Sequence, residues 1–198
     1  LNGLVSSGTA TSPINITAFG GNGGNGGSAD PAKFADQNAG GPGAVGSDGG
    51  AINVTIGANT NGYAFQGSTG LAISGVTIAS LGGTGGGGGL ASYTLGSQGN
   101  GLSAKGGDGQ SVVANIGGDW GAATGDGVYV VSFAGAGGTG ASFQTGLADG
   151  ANGGQGGDSS FVNVTITGQI RGQTAGVFVA TAGGNGGGGG NGGSLDGD

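Results

Sequence analysis

The chain has 198 residues, of which 60 are glycine, and carries a formal net charge of −7. Almost a third of its positions therefore have no side chain to bury, which excludes an ordinary close-packed globule. Cysteine, methionine, histidine and glutamate are absent from the sequence, which excludes disulfides, thiol chemistry, imidazole catalysis and most zinc or copper sites.

The charge balance limits the partners of the chain. Its acidic residues are all aspartates, and they outnumber the basic residues Lys33, Lys105 and Arg171. Nucleic acid and anionic membrane surfaces need clustered Lys or Arg. No apolar run approaches the length that spans a membrane, and no signal peptide is found at Leu1. We expect no nucleic-acid binding and no membrane insertion by this segment, and we interpret it as an excised or processed piece.

Glycine at this level is typical of collagen, of disordered segments or of glycine-built repeats. A strict Gly-X-Y register is missing and only 3 prolines occur, which argues against collagen. Val, Ile, Leu and Phe are gathered into short alternating runs. The sequence therefore favours an ordered repeat protein over a disordered chain.

Two kinds of predicted strand recur along the chain. The first kind alternates apolar residues and passes directly into glycine, as in residues 176–193, GVFVATAGGNGGGGGNGG. There Val177, Val179 and Thr181 lie on one predicted face of the strand. Similar junctions occur in residues 14–27, 76–89 and 128–140.

The second kind of strand follows a glycine tract, as in residues 49–57, GGAINVTIG. Its period of two predicts a half-buried strand with Asn and Thr on the outward face. Because the same apolar positions recur in each copy, like side chains are predicted to stack between neighbouring units. The predicted columns are Ile52, Val112 and Val162; Val54, Ala114 and Val164; and Ile56, Ile116 and Ile166.

Connectors of unequal length, rich in Gly, Asn, Thr and Asp, separate the two kinds of strand. Such residues tolerate positive φ or bond to their own backbone, so we predict turns there. Residues 29–38, which include Pro31, Lys33 and Phe34, are the least repeat-like stretch. They are predicted to form a loop or short helical turn, which is either an irregular surface feature or a mere spacer.

One strand of each kind, a turn and the glycine tracts make a unit of roughly 50 to 60 residues, a period typical of solenoids and arrays. We predict a single repeat domain over residues 1–198, with units at about 1–50, 51–110, 111–160 and 161–198. The predicted fold class is all-β: a right-handed parallel β-solenoid, β-helix-like, with glycine-rich extended or polyglycine-II-like layers. Parallel winding is what brings like side chains into columns.

The tract GGNGGNGG has a period of three, which places Asn22 and Asn25 on one edge of a left-handed threefold helix. Without side chains, such helices can lie backbone to backbone and bond laterally. A flexible linker is the alternative. Punctuation of the tracts by Asn, Thr and Asp, with little Ser, favours the ordered interpretation.

Several patterns imitate functional motifs. Three N-x-T triplets, which match the glycosylation acceptor but are better explained as outward Asn and Thr ladders, begin at Asn15, Asn53 and Asn163. Asp48, Asp108 and Asp158 follow glycine as in calcium-binding β-rolls, but they occur once per unit and not in tandem. An isolated copy supplies too few oxygens, so we expect no cofactor, with calcium as the open alternative.

Catalysis in this chain would have to use Asp, Ser, Tyr or Lys. A pair of aspartates can hydrolyse glycosides, but no two aspartates stand on neighbouring positions of one predicted strand. We therefore expect no enzyme. Some aromatic side chains are candidates for contact with surface glycans, with packing inside the repeat as the alternative: Phe34, Tyr63, Tyr93, Trp120 and Tyr129.

Residues 161–193, FVNVTITGQIRGQTAGVFVATAGGNGGGGGNGG, resemble the glycine-rich repeats in passenger regions of bacterial autotransporters. The resemblance covers nearly the whole chain and implies a secreted, surface-displayed β-solenoid that acts as a stalk or adhesin. Thr181 and Ala182 depart from the Gln-Ser usual in that family, and its translocator is not part of this sequence. In the tracts alone, phage tail-tip adhesins with polyglycine helices and mycobacterial glycine-rich surface proteins look similar.

These patterns predict a non-enzymatic extracellular structural or adhesive protein, a stalk or filament on a bacterial surface. The alternative is a phage tail-tip or other carbohydrate- or receptor-binding adhesin module. Neither end of the pattern looks capped, since no amphipathic helix or charged strand follows Val177 and Val179. The expected partner is therefore the chain itself, end to end or laterally, or flanking repeats of a longer chain.

Overall fold

The computed structural model describes residues 14–28, 41–57, 74–89, 102–118, 120–122, 125–142 and 151–191. Within these ranges there is no helix, and hence none long and apolar enough to cross a membrane. The strands of the described part are β1 (Ile14–Phe19), β2 (Ile52–Ile56), β3 (Ser74–Leu81), β4 (Val112–Gly117), β5 (Trp120–Gly121), β6 (Asp126–Phe133), β7 (Val162–Thr167), β8 (Ile170–Arg171) and β9 (Val177–Ala182).

The strands form parallel sheets, and each kind of predicted strand forms its own. Sheet A has the order β1-β3-β6-β9 and contains the strands that lead into glycine. Sheet B has the order β2-β4-β7 and contains the strands that follow glycine. The prediction of an all-β chain with parallel strands is confirmed.

The register of both sheets places equivalent residues of successive units side by side. In sheet A, Val76 pairs with Val128. In sheet B, Ile56, Ile116 and Ile166 form one of the three predicted columns, and the other two are also present. The apolar faces of the two sheets pack into one core, in which each fully buried side chain contributes about 1.5–3 kcal/mol.

The connectors after sheet B hold a short parallel pair, β5 with β8, where the sequence predicted turns. Each connector begins with a glycine at positive φ, Gly118 at 88° and Gly168 at 139°, a conformation that residues with a Cβ rarely adopt. After this turn Trp120 pairs with Ile170 and lies in the core. Its indole N–H donates to the Gly117 carbonyl at 3.0 Å.

Two fully buried serines join sheet A to the backbone that leads into sheet B. Ser80 and Ser132 are register partners in β3 and β6. The Gln110 N–H donates to Ser80 Oγ at 3.0 Å, and Ser132 Oγ donates to the Gln110 carbonyl at 2.9 Å. A buried polar group without a partner costs about 1–3 kcal/mol, so this pair of bonds fixes where Gln110 lies.

The last unit is more exposed than the units before it. Val128 and Val130 are fully buried, whereas their partners in β9, Val177 and Val179, are 42% and 45% exposed. Among the described residues no further strand pairs with β9 in sheet A or with β7 in sheet B. Within the described residues, the last unit therefore presents an edge of each sheet that no further strand covers.

Candidate interaction surfaces

Glycine-rich tracts continue both sheets in the described part of the chain. Tracts 1, 3, 5 and 7 follow sheet A, at residues 20–28, 82–89, 134–142 and 183–191 respectively. Tracts 2, 4 and 6 lead into sheet B, at residues 41–51, 102–111 and 151–161 respectively. Because they are exposed on their outer sides, the tracts are the first candidates for a functional surface.

Tracts that continue the same sheet are bonded through every third residue. In tract 1, the Gly20 N–H donates to the Leu81 carbonyl at the end of β3 at 2.7 Å. The Gly23 and Gly26 N–H groups donate to the Thr84 and Gly87 carbonyls of tract 3 at 2.8 Å and 2.9 Å. The same spacing links tract 3 to tract 5, tract 5 to tract 7, and the even tracts to one another. Three residues per repeat is the period of polyproline II geometry.

Odd tracts, on the sheet A side, and even tracts, on the sheet B side, run in opposite directions and are also hydrogen-bonded to each other. The Ala44 N–H of tract 2 donates to the Gly24 carbonyl at 2.8 Å, and the Gly86 N–H of tract 3 donates to the Ala44 carbonyl at 2.8 Å. Tract 2 thus lies between tracts 1 and 3. A Cβ on Gly107 or Gly135 would lie under 3.0 Å from backbone atoms of a neighbouring tract, so these approaches require glycine.

In each period of three, one residue donates to a tract of the same side and one bonds to a tract of the opposite side. The third residue faces outward, and its N–H can donate to a side chain of the preceding unit. Asn22 Oδ1 accepts the Thr84 N–H at 3.0 Å, and Asn25 Oδ1 accepts the Gly87 N–H at 2.9 Å. Both asparagines reach the same neighbouring tract, in the place where the period of three predicts them. Outward Asn and Asp side chains therefore hold one unit in register with the next.

The even tracts carry an aspartate column, which consists of Asp48, Asp108 and Asp158 with Lys105. Asp48 Oδ1 accepts the Asp108 N–H, and Asp108 Oδ1 accepts the Asp158 N–H, both at 2.8 Å. Lys105 Nζ lies 2.8 Å from Asp108 Oδ1 and 3.1 Å from Asp158 Oδ2. The hydrogen bonds from Lys105 and from the Asp158 backbone lower the pKa of Asp108, and the hydrogen bonds to Asp108 and Asp158 raise the pKa of Lys105.

The aspartate column predicts a loss of stability in acid. A carboxyl whose pKa is lowered by folding stabilises the folded state at pH values above its ordinary pKa of 3.8. This contribution is lost as the pH falls through the pKa of the folded state. Asp108→Asn keeps an oxygen for the Asp158 N–H but loses the charge. We expect it to lower the melting temperature slightly at neutral pH and to approach the wild type as the pH falls through the lowered pKa of Asp108.

Thermal unfolding followed by circular dichroism at several pH values checks this expectation. Asp108→Ala, which loses the acceptor as well as the charge, should melt below Asp108→Asn at neutral pH. If Asp108→Asn and the wild type melt together at every pH, the ion pair with Lys105 contributes nothing to stability.

The column also bears on the calcium alternative. Among the described residues, no group of three or more Asp, Glu, His or Cys side chains could hold a metal ion. The carboxylates accept hydrogen bonds from the chain instead, and Asp48 Oδ2 also accepts from Gln110 Nε2 at 3.3 Å. The aspartates, which stack one per unit, therefore hold successive units in register.

The candidate contact aromatics occupy different parts of the structure. Tyr129 lies on the side of sheet A away from the core and stacks on Phe178, with 5.1 Å between ring centroids and 6° between ring planes. Trp120, in contrast, is only 8% exposed. The other three candidates lie outside the described residues: Phe34, Tyr63 and Tyr93.

Two features of this region were not predicted from the sequence, although each has a local signal. Ser80 and Ser132 are polar residues at an inward position of an alternating strand, close to the glycine that follows. Lys105 precedes Asp108 by three residues, one period of the tract. A period-three search along the tracts would have found the Lys105 contact.

The comparisons with known proteins leave the interpretation to the chain's own geometry. No family model and no curated protein matches the chain. Among solved structures, it is paired with the nine polyproline type II helical bundle springtail antifreeze protein from Granisotoma rainieri, at 18% identity over 96% of this chain and 99% of that chain. The TM-score of this pairing is 0.19, so it carries no argument about fold or function.

Proposed function

We propose that the chain is a non-enzymatic extracellular structural protein that forms a stalk or filament on a bacterial surface. Its fold in this proposal is a right-handed parallel β-solenoid, with the glycine tracts as polyglycine-II-like layers beside the two sheets. The supporting observation is that one hydrogen-bond scheme repeats from unit to unit through both sheets and all described tracts. Units that contact only their neighbours extend along one axis.

The bonded glycine tracts support a stiff spacer. Ordering glycine costs more conformational entropy than ordering any other residue, and a flexible glycine linker makes no such bonds. Here Gly86 donates to tract 2, and its carbonyl accepts the Ala104 N–H of tract 4 at 3.1 Å. Bonding on both sides offsets the entropic cost and gives the tracts a fixed length.

Display outside a cell is supported by two further observations. The resemblance to autotransporter passenger repeats implies a secreted chain. The basic residues are few, Lys33, Lys105 and Arg171, so trypsin-like proteases find few sites to cut. Both properties suit a stalk that is exposed to the medium.

A spacer assay tests this proposal. The chain is placed between a bacterial surface anchor and an epitope tag, and antibody access to the tag is compared with that of an anchor fused directly to the tag. We expect the folded chain to raise antibody access several-fold, and Gly135→Ala, which disrupts tract packing, to lose this gain. Equal access with and without the chain would refute a spacer role.

The alternative function is a glycan- or receptor-binding adhesin module, and the stacked pair of Tyr129 and Phe178 favours it. Phe178 is 40% exposed, and aromatic rings are frequent contact surfaces for ligands. Phe161, an exposed aromatic at the end of tract 6, gives the control. Binding to a glycan array that is lost in Phe178→Ala but kept in Phe161→Ala would support the adhesin. Absence of binding would leave the structural role.

A further inference from the structure

Each even tract after tract 2 is held by the even tract before it and by the odd tract that precedes it in the chain. Tract 6 shows the arrangement. Its Gln155 carbonyl accepts the Gly106 N–H of tract 4 at 3.0 Å, and its Gly157 N–H donates to the Gly135 carbonyl of tract 5 at 2.9 Å. Tract 4 is bonded to tracts 2 and 3 in the same way. A row of N–H groups and a row of carbonyls therefore form the seat of each such tract.

The same two rows recur at the end of the stack, where no described tract covers them. Tract 6 presents the N–H row, in which Gly156 is equivalent to Gly106. Tract 7 presents the carbonyl row, in which Gly184 is equivalent to Gly135. Within the described residues these backbone groups have no hydrogen-bond partner. We call this surface the last-unit groove and define it by the N–H groups of Gly156 and Ser159 and the carbonyls of Gly184, Gly187 and Gly190.

From this geometry we infer that the last-unit groove binds a glycine-rich extended segment of another protein chain. The segment runs parallel to tract 6 and continues into a strand beside β7. Its carbonyls accept the N–H groups of tract 6, and its own N–H groups donate to the carbonyls of tract 7, one of each in every three residues. This period selects polyproline II geometry, so a segment in another conformation reaches only part of the groove.

Tract 6 with β7, residues 151–167, has the sequence that this seat requires, because it fills the same seat one unit earlier. In the last-unit groove, a copy of this segment accepts from Gly156 and Ser159 through the carbonyls of its residues 155 and 158. It donates from its residues 157, 154 and 151 to Gly184, Gly187 and Gly190 respectively. These are the bonds that tract 6 makes to tracts 4 and 5, moved by one unit.

The close approach of the segment to tract 6 selects glycine. A Cβ on Gly157 would lie under 3.0 Å from the Gly107 carbonyl oxygen of tract 4, and a Cβ on Gly154 would lie under 3.0 Å from the Ala104 carbonyl oxygen. The segment in the groove meets the backbone of tract 6 in the same way. Glycine is therefore required at these two places, which distinguishes this partner from an ordinary strand-forming peptide.

The strand of the segment covers the open edge of sheet B. Ile166 is only partly buried in β7, whereas its partner in β4, Ile116, is 1% exposed. A strand added beside β7 supplies the missing neighbour, as an added strand does at other sheet edges. Asp158, 86% exposed in its side chain, would accept a backbone N–H of the segment as Asp108 accepts that of Asp158.

Gly186→Ala blocks the groove without disturbing the chain itself. A Cβ on its internal equivalent, Gly137, would lie under 3.0 Å from the carbonyl carbon and oxygen of Gly154 in tract 6. A Cβ on Gly186 would meet the bound segment in the same way, but within the chain it has only the Gly154 carbonyl oxygen near it, at 3.7 Å. Gly188→Ala is the matched control, because its Cβ has nothing within 4 Å and lies on the outward row.

Fluorescence anisotropy of a labelled synthetic peptide of residues 151–167, titrated with the full chain up to about 1 mM, tests the inference. We expect saturable binding, with one peptide per chain, to the wild type and to Gly188→Ala. Binding to Gly186→Ala should be at least about tenfold weaker, because the new Cβ overpacks the groove. The melting temperature of Gly186→Ala without peptide should equal that of the wild type.

Two substituted peptides test the seat from the other side. In the peptide, Gly157→Ala places a Cβ against the backbone of tract 6 and should abolish binding. Gly156→Ala is the matched control. A Cβ on Gly156 of the chain would lie under 3.0 Å from backbone of tract 7, the odd tract that follows, but no described odd tract follows the segment in the groove. This peptide should bind as the parent peptide does.

Three results would overturn the inference: no saturable binding to the wild type, equal binding to the wild type and Gly186→Ala, or equal binding of the two substituted peptides. Sedimentation velocity without peptide gives a fourth. Oligomers of the wild type that are lost in Gly186→Ala would show that a second whole copy covers the groove.

The inference goes beyond the stalk role and does not rest on it. Gly186→Ala should lose the peptide and still space the epitope tag from the cell surface. A failed spacer assay with intact peptide binding would refute the stalk and leave the groove. A successful spacer assay without peptide binding would refute the groove alone.

Discussion

Gly135→Ala is expected to destabilise the folded chain by at least about 3 kcal/mol, at the upper end of the usual cost of overpacking. The new Cβ would lie under 3.0 Å from the carbonyl oxygen of Gly83 and from the backbone of Gly82. An overpacked core of side chains relaxes by changing rotamers, but here both obstacles are backbone held by hydrogen bonds on either side. The tracts would have to separate, and bonds such as that from Gly135 to the Gly107 carbonyl would be lost.

Chemical denaturation of Gly135→Ala and Gly188→Ala measures this effect against a matched control. Both variants replace a glycine of an odd tract, and neither residue has positive φ. A Cβ on Gly188 has nothing within 4 Å, so Gly188→Ala should be neutral or stabilising by about 0.4–1 kcal/mol through the unfolded state. Equal stabilities of the two variants would show that the tracts are not packed as described.

Ile116→Ala is expected to cost about 2–5 kcal/mol, the usual range for removing a buried Ile side chain. Ile116 is 1% exposed, in a column between Ile56 and Ile166 of the flanking units. The cavity would lie in the middle unit of sheet B, where β2 and β7 hold the strand on both sides. Little collapse is available there, so the cost should fall in the upper half of the range.

Ile166→Ala is the matched control for Ile116→Ala, since it makes the same change at the next register position. Ile166 lies in the last unit and is only partly buried. We expect Ile166→Ala to cost less than half the loss of Ile116→Ala when the two variants are compared by chemical denaturation. Equal losses at the two positions would contradict the difference in burial between the inner and the last unit.

The sequence by itself determined the two kinds of strand and their pairing. Alternation in residues such as Ile52, Val54 and Ile56 stands at a fixed distance from glycine in each unit. A period of two allows only one face to be buried, and repeated columns require parallel neighbours in register.

Only the tertiary structure decided which tract lies beside which and what the polar side chains do. Gly135 is enclosed because tract 5 meets tract 3 on the same side and tract 4 across the stack. Trp120 lies in the core because a turn at Gly118 brings it there. The Asp108 carboxylate meets the Asp158 N–H although a whole unit separates them in sequence. Local periodicity fixes which face of a strand or tract is buried, whereas these contacts depend on connectors of unequal length that carry no period. Their geometry is set when hydrogen bonds and close packing bring distant units together.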